Sequence, residues 1–164
     1  MSRTTTASGT PVIIVTLLVA AWLEVLPLPD VIEYFRPEWL AVAMVYWTIA
    51  LPHRIGVVWG ASVGLFQDVL LGTVLGQHAL AMTLVVFIAQ SSYKRMRVFP
   101  LPQQSAVVFM LIGVAVISSY LIQGIAGRAH LPPLAMLLSA LTSAVFWRPA
   151  FSLLRWTRRQ FLVR

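Results

Sequence analysis

"GVVWGASVGLFQDVLLGTVLG", Gly56 to Gly76, sets five glycines and one acid on a four-residue beat: Gly56, Gly60, Gly64, Asp68, Gly72 and Gly76. Only Ser62, Gln67 and Thr73 interrupt the apolar character of the remaining residues. Residues four apart lie nearly one above another on a helix. A face of glycines lets a second helix come close, because no side chain separates the backbones. The stretch therefore reads as a helix with a small-residue seam that Asp68 continues, and Gly72 and Gly76 belong to the exit turn. An acid inside an apolar helix is expensive in lipid and is a functional candidate by default. Three roles fit Asp68: capping of backbone N–H groups in the following turn or helix pairing, a ligand or proton site, and contact with a partner protein.

The rest of the chain says which solvent surrounds that helix. The 164 residues are 59% hydrophobic and 10% charged, with a mean hydropathy of +0.85. A soluble domain carries roughly 25% charged residues, so a chain this apolar could not cover a water-facing surface. The fold class expected is an all-α integral membrane protein with no separate soluble domain, a single membrane domain over 1–164. A span needs about 20 apolar residues, and six runs qualify or come near: 11–26, 38–51, 55–71, 78–93, 104–126 and 134–154. "PLPD" after the first run and "PHR" after the second act as breaks, since proline cannot continue a helix. Pro37 suits a first helical position. The first run reads as a retained helix rather than a cleaved signal, because Glu24 before "PLPD" makes a poor cleavage site. The second run is short enough to require local thinning of the bilayer or minimal tilt.

Charge orients the bundle. The net charge is +7, and all five acids, Glu24, Asp30, Glu33, Glu38 and Asp68, precede residue 69. Basic residues collect in "KRMR", Lys94 to Arg97, and in "RWTRRQFLVR", Arg155 to Arg164. In a soluble protein such clusters would suggest nucleic acid. Here they follow apolar runs directly, so they read as cytoplasmic anchors beside anionic lipid, and no nucleic-acid partner is expected. With both termini cytoplasmic, Arg3, Arg54, Lys94, Arg95, Arg97, Arg155, Arg158, Arg159 and Arg164 face inward. Only Arg36 and Arg128 then face outward, and Arg148 lies within the last run, where Pro149 predicts a kink.

Reactive chemistry is sparse. Cysteine is absent, which excludes thiolate metal sites, disulfides and cysteine nucleophiles. His53, His78 and His130 lack the spacing of a zinc site. "GTVLGQHAL" lacks the lysine of a phosphate loop, and no G-x-S-x-G elbow is present. No enzyme, cofactor or metal site is read. Glu24, near the outer end of its run, is expected to snorkel or to pair with Arg36. Trp39 fits a membrane interface. Tyr46 and Trp47 fall deeper and need partners for their polar hydrogens.

At "FRPEWLAVAMVYWTIALPHRIGVVWGASVGLFQDVLLGTVLGQHALAMTL", Phe35 to Leu84, the chain resembles the MreD family of rod shape-determining proteins. The family pattern has an RPxW opening, a YW pair, an ALPHR-type turn and a glycine-spaced helix ending D-x-x-x-G-x-x-x-G. Here these are Arg36 to Trp39, Tyr46 and Trp47, Ala50 to Arg54, and Asp68 to Gly76. "PLPD" and the tail "RQF" agree as well; the fifth run and its outer loop match only in hydropathy. The resemblance implies six transmembrane helices in a compact bundle, similar to the substrate-binding subunits of vitamin (ECF-type) transporters. It also implies a non-enzymatic component of the inner-membrane elongation machinery. Such a protein would bind MreC directly, join MreB, RodA and penicillin-binding protein 2 in the wider complex, and support lateral peptidoglycan synthesis and rod shape. Arg36, Trp39, Tyr46, Trp47, Gly60, Gly64, Asp68 and Gly72 are then the candidate partner-contact or structural residues. A second class of function stays open: a small-molecule- or lipid-binding membrane protein, such as a transport subunit, using Asp68, Glu24, His78 and Arg128 around an outward cavity.

Overall fold

The computed structural model describes residues 9–128 and 133–163, so Arg3, His130 and Arg164 lie outside the described residues. Among the described residues the architecture is all helical. Six helices and one short turn of helix follow in order: α1 (Thr10–Val25), α2 (Asp30–Glu33), α3 (Trp39–Ala50), α4 (Val57–Leu71), α5 (Gln77–Val98), α6 (Leu101–Ile125) and α7 (Pro133–Gln160). Pro11 and Pro102 sit in the first turns of α1 and α6, where a missing N–H costs nothing. α7 runs on through Pro149 as one helix.

α3 organises the bundle. It packs against α1, α5, α6 and α7. Every residue from Leu40 to Ile49 is buried, at most 6% exposed. A helix that is apolar all round is one surrounded by protein or lipid, and here the surroundings are the chain's own helices. This changes the reading of the short second run. Twelve residues rise only about 18 Å, far less than the roughly 30 Å of bilayer hydrocarbon. The sides of α3 are enclosed by α1, α5, α6 and α7.

Among the described residues, two helical stretches are long and apolar enough to cross a membrane alone, Leu101–Ile125 and Leu137–Gln160. α1 and α4, at 16 and 15 residues, are shorter. α5 extends through Lys94, Arg95 and Arg97 to Val98, beyond the end expected at Tyr93. α7 likewise runs past Leu154 to Gln160. The cause is the same at both ends. Lysine and arginine are good helix formers, their charge suits a helix C-terminus, and no breaker intervenes before Phe99-Pro100 in the first case.

Residues are arranged with polar groups inside and large apolar groups outside. Glu24, Thr48, Gln67, Asp68, Gln77, Gln104, Ser119 and Ser143 are buried, while Val15, Trp22, Val58, Val69, Met110, Ile117 and Val145 are exposed. Such broad outward apolar surface is not that of a water-soluble monomer. The two described ends of the chain lie together, since a Cβ placed on Gly9 would meet the Val163 side chain at 2.7 Å. Arg54 donates to Thr10 Oγ1 at 2.9 Å, which brings the α3–α4 turn to that same end.

The glycine seam of α4 is what lets α5 lie against it. A Cβ on Gly64 would stand 2.4 Å from the His78 carbonyl oxygen and 2.5 Å from Ala79 Cα. On Gly60 it would stand 2.9 Å from the Met82 carbonyl oxygen. The two backbones are therefore in direct contact, as the four-residue spacing predicts. Gly72 and Gly76 adopt positive φ, 64° and 97°, in the turn that reverses the chain between the helices.

Candidate functional site

The polar interior is concentrated where α1, α4 and α6 end and α3, α5 and α7 begin. Asp68 is its centre. Gly72 closes α4 in the left-handed conformation, and the N–H groups of Gly72 and Thr73 both return to the Asp68 carbonyl. The Asp68 side chain points into the turn that follows. Its Oδ1 accepts from Thr73 Oγ1 at 2.9 Å, from the His78 N–H at 2.8 Å and from His78 Nδ1 at 2.8 Å. Its Oδ2 accepts from the Gly76 N–H at 2.8 Å, and the Ala79 N–H lies farther off at 3.4 Å. These amides belong to the first turn of α5, which has no capping side chain of its own. The carboxylate therefore supplies the cap from another helix, against the positive end of the α5 dipole. Nδ1 of His78 carries the proton in this arrangement, because a carboxylate can only accept. The acid is not stranded in an apolar medium: it is surrounded by donors.

Glu24 repeats the device one helix earlier. It is buried in the last turn of α1. Oε1 accepts from the Leu40 N–H at 3.0 Å, in the first turn of α3, and Oε2 accepts from Gln67 Nε2 at 3.1 Å. α3 also lacks its own side-chain cap. The expected snorkelling of Glu24, or its pairing with the Arg36 side chain, is not what forms. The reason is that Arg36 is committed elsewhere: its two terminal nitrogens donate to the backbone carbonyls of Glu24 and Leu26, closing the C-terminus of α1. At the far end of α3, Arg97 plays the corresponding part, with Nε to the Ile49 carbonyl and Nη2 to the Ala50 carbonyl, each at 2.9 Å. The buried helix thus has a carboxylate at its start and a guanidinium at its finish, both from other helices.

Of the aromatic candidates, Trp39 and Tyr46 meet α7 and Trp47 reaches α1. Trp47 is fully buried and donates from Nε1 to Thr16 Oγ1 at 2.9 Å. Tyr46 packs edge-on to Trp47 and to Phe151, at centroid distances of 5.2 and 5.5 Å. Trp39 meets Phe146 edge-on at 5.3 Å. Gly60 and Gly64 face α5, and Gly72 is in the turn. Of the groups considered around an outward cavity, Glu24, Asp68 and His78 come together at one end of the bundle, whereas Arg128 is exposed at the end of α6.

A family profile described as rod shape-determining protein MreD matches residues 7–157. The chain belongs to the MreD family. A relative of the same description, from Haemophilus influenzae (strain ATCC 51907 / DSM 11121 / KW20 / Rd), is 29% identical over 143 residues, covering 87% of this chain and 88% of that one. No solved structure matches the chain.

In this MreD-family chain two side chains matter that the motifs do not mark. Gln67 and Gln77 are both buried, and the Oε1 atom of each has no hydrogen-bond partner among the described residues. Arg36 Nε and Tyr46 Oη are in the same condition. A signal for the glutamines does exist in the sequence. Each is a lone amide in an apolar helical stretch, and a buried amide has four hydrogen bonds to satisfy. Among the described residues there is no group of three metal-ligating side chains.

Proposed function

We propose that this chain is a non-catalytic, multi-pass scaffold of the bacterial inner membrane that binds MreC within the rod complex. In that role it supports lateral peptidoglycan synthesis alongside MreB, RodA and penicillin-binding protein 2. All six helices cross the bilayer, in an arrangement like the substrate-binding subunits of vitamin transporters, with both termini cytoplasmic. The last assignment is supported by the clustering of Arg54, Lys94, Arg95, Arg97, Arg155, Arg158 and Arg159 toward the end where Gly9 meets Val163, by the positive-inside rule.

The observation that carries the scaffold reading is an apolar groove between α1 and α4. These two helices touch only slightly, and the gap, about 180 Å³, is walled by Ile14, Leu18, Trp59, Ser62, Val63 and Phe66 with almost no polar surface. Association of helices in lipid rests on close packing along such surfaces. A single spanning helix of MreC is the occupant proposed. Tyr46, Trp47, Gly60, Gly64 and Asp68 then serve the bundle itself, holding α3, α5 and α7 so that α1 and α4 present the groove.

Ser62→Trp would fill the groove from an exposed position. Val145→Trp, on an exposed face of α7, is the control. Co-purification of MreC from membranes should fall at least several-fold for the first and stay at the wild-type level for the second, with both variants eluting as monodisperse species. Equal recovery of MreC with both variants would refute the groove as the contact.

A further inference from the structure

The bundle contains a second, larger cavity that the scaffold role does not use. Its volume is about 470 Å³, and it lies at the acidic end, between α3, α4, α5, α6 and the α2 turn. Sites for small molecules occupy roughly 300–1,000 Å³. Much of the wall is apolar, from Ala41, Leu71, Ala81, Met82, Ala115 and Val116, and polar side chains complete it.

Three residues of that wall each carry a buried polar atom that is unpartnered among the described residues: Gln67 at Oε1, Gln77 at Oε1 and Arg36 at Nε. Gln67 and Gln77 are 0% and 1% exposed. The orientation of the Gln67 amide is fixed from behind, because its Nε2 donates to Glu24 Oε2. Oε1 is then the atom left over. A buried polar atom without a partner is costly. Two such acceptors and one donor on a single cavity ask for a molecule with the reverse pattern. Glu33 and Glu38 also line the cavity, against Arg36 as the one guanidinium. Two carboxylates outweigh one cation, so the wall favours a positively charged donor over a bare anion.

We infer that this cavity binds a primary-amine zwitterion: an ammonium or amine group at the Gln67 and Gln77 oxygens and the two glutamates, with an acceptor oxygen toward Arg36. The phosphoethanolamine headgroup of a membrane lipid and a free water-soluble phosphoethanolamine compound share that chemistry. The site is separate from the α1–α4 groove, so its occupation does not depend on the partner proposed there.

The test uses the full chain purified in detergent. Native mass spectrometry follows reconstitution into vesicles of phosphatidylethanolamine and phosphatidylglycerol in equal parts, and into vesicles of phosphatidylglycerol alone. Thermal shifts are read with glycerophosphoethanolamine and, as an anion control, with inorganic phosphate. Retained phosphatidylethanolamine without a shift from the soluble compound supports the lipid source. A shift from glycerophosphoethanolamine supports the free molecule as well. Either signal should weaken at least tenfold in Gln67→Leu and in Ser119→Phe, which fills the cavity from α6 and leaves the amide bonds intact. Binding of phosphatidylglycerol or phosphate equal to that of the amine probes overturns the inference. So does the absence of any adduct or shift, which would leave the amide oxygens to water. Undiminished binding in Ser119→Phe also overturns it.

Discussion

Replacing Asp68 by alanine separates capping from any partner role, because the cost of losing the cap can be worked from its geometry. Five donors converge on the carboxylate. After the substitution Thr73 Oγ1 and His78 Nδ1, already 3.2 Å apart, can bond each other. The Ala79 N–H, at 3.4 Å, loses little. The Gly76 and His78 N–H groups are left with no acceptor in the chain; both are half-buried, and a fully buried group would cost about 1–3 kcal/mol. Loss of a helix cap in other proteins costs about 0.5–2 kcal/mol, which argues for the lower half of the combined range, about 3 kcal/mol. In a chain of this size one kcal/mol moves the melting temperature by about 2–4 °C, so Asp68→Ala should melt about 6–12 °C lower. Asp68→Asn keeps one oxygen but turns an NH2 group toward donors, and should lose about half as much. The assay is unfolding of the detergent-purified chain followed by tryptophan fluorescence. A melting temperature within about 2 °C of the parent for Asp68→Ala would refute the capping account and leave partner contact as the reason for the acid.

Two further outcomes follow from the same geometry and can be read in parallel melts. Gly64→Ala puts a Cβ against the backbone of His78 and Ala79, so α4 and α5 must separate at a cost of about 1–3 kcal/mol. Gly113→Ala in α6 meets nothing within 4 Å and should stabilise by about 0.5–1 kcal/mol; equal melts for the two would sink the seam argument. Glu24→Gln keeps an acceptor for the Leu40 N–H and lets Gln67 rotate to complete the pair, so it should stay within about 1 kcal/mol of the parent, whereas Glu24→Ala strands the Leu40 N–H and should cost about 1–3 kcal/mol.

How much of this was readable in advance depended on the distance over which each feature acts. The α4 seam lies on one helix at a fixed period, and its partner is the next helix in the chain, so the glycines alone announced a close approach. The Asp68 cap also closes locally, onto residues 73 to 79, and capping was one of the roles open to it. Glu24 bonds Leu40 and Gln67, 16 and 43 residues away. Nothing in the spacing of Glu24 indicates that meeting, and the spacing alone suggests only snorkelling or a pair with Arg36. α3 was illegible for a different reason. A helix that is apolar on every side looks the same whether lipid or protein surrounds it, and only the packing of α1, α5, α6 and α7 around it decides. The free oxygens of Gln67 and Gln77 could not be read either, because an amide reveals an unmet bond only once its neighbours are placed.

The charge asymmetry of the sequence then has two causes that act together. α3, α5 and α7 all start at the acidic end and finish at the basic end. Glu24 and Asp68 cap the first two at their starts. Glu38 meets α7 two to three turns in: its Oε1 accepts from Ser139, and its N–H donates to Ser143. At the finishes, Arg97 closes α3, Arg95 and Arg97 lie in the last turn of α5, and Arg158 and Arg159 lie in the last turn of α7. The placements at helix ends suit the dipoles of those helices, whereas Glu38 reaches α7 beyond its first turn. The same placements put the positive charge on one side of the proposed membrane, as topology requires. A lysine moved to the acidic end would therefore oppose insertion and fold at once, whereas one added at the basic end opposes neither. For that reason the location of the acids, taken alone, is not a mark of a binding site. What marks one is the pair of amide oxygens beside them, which neither the dipoles nor the topology accounts for.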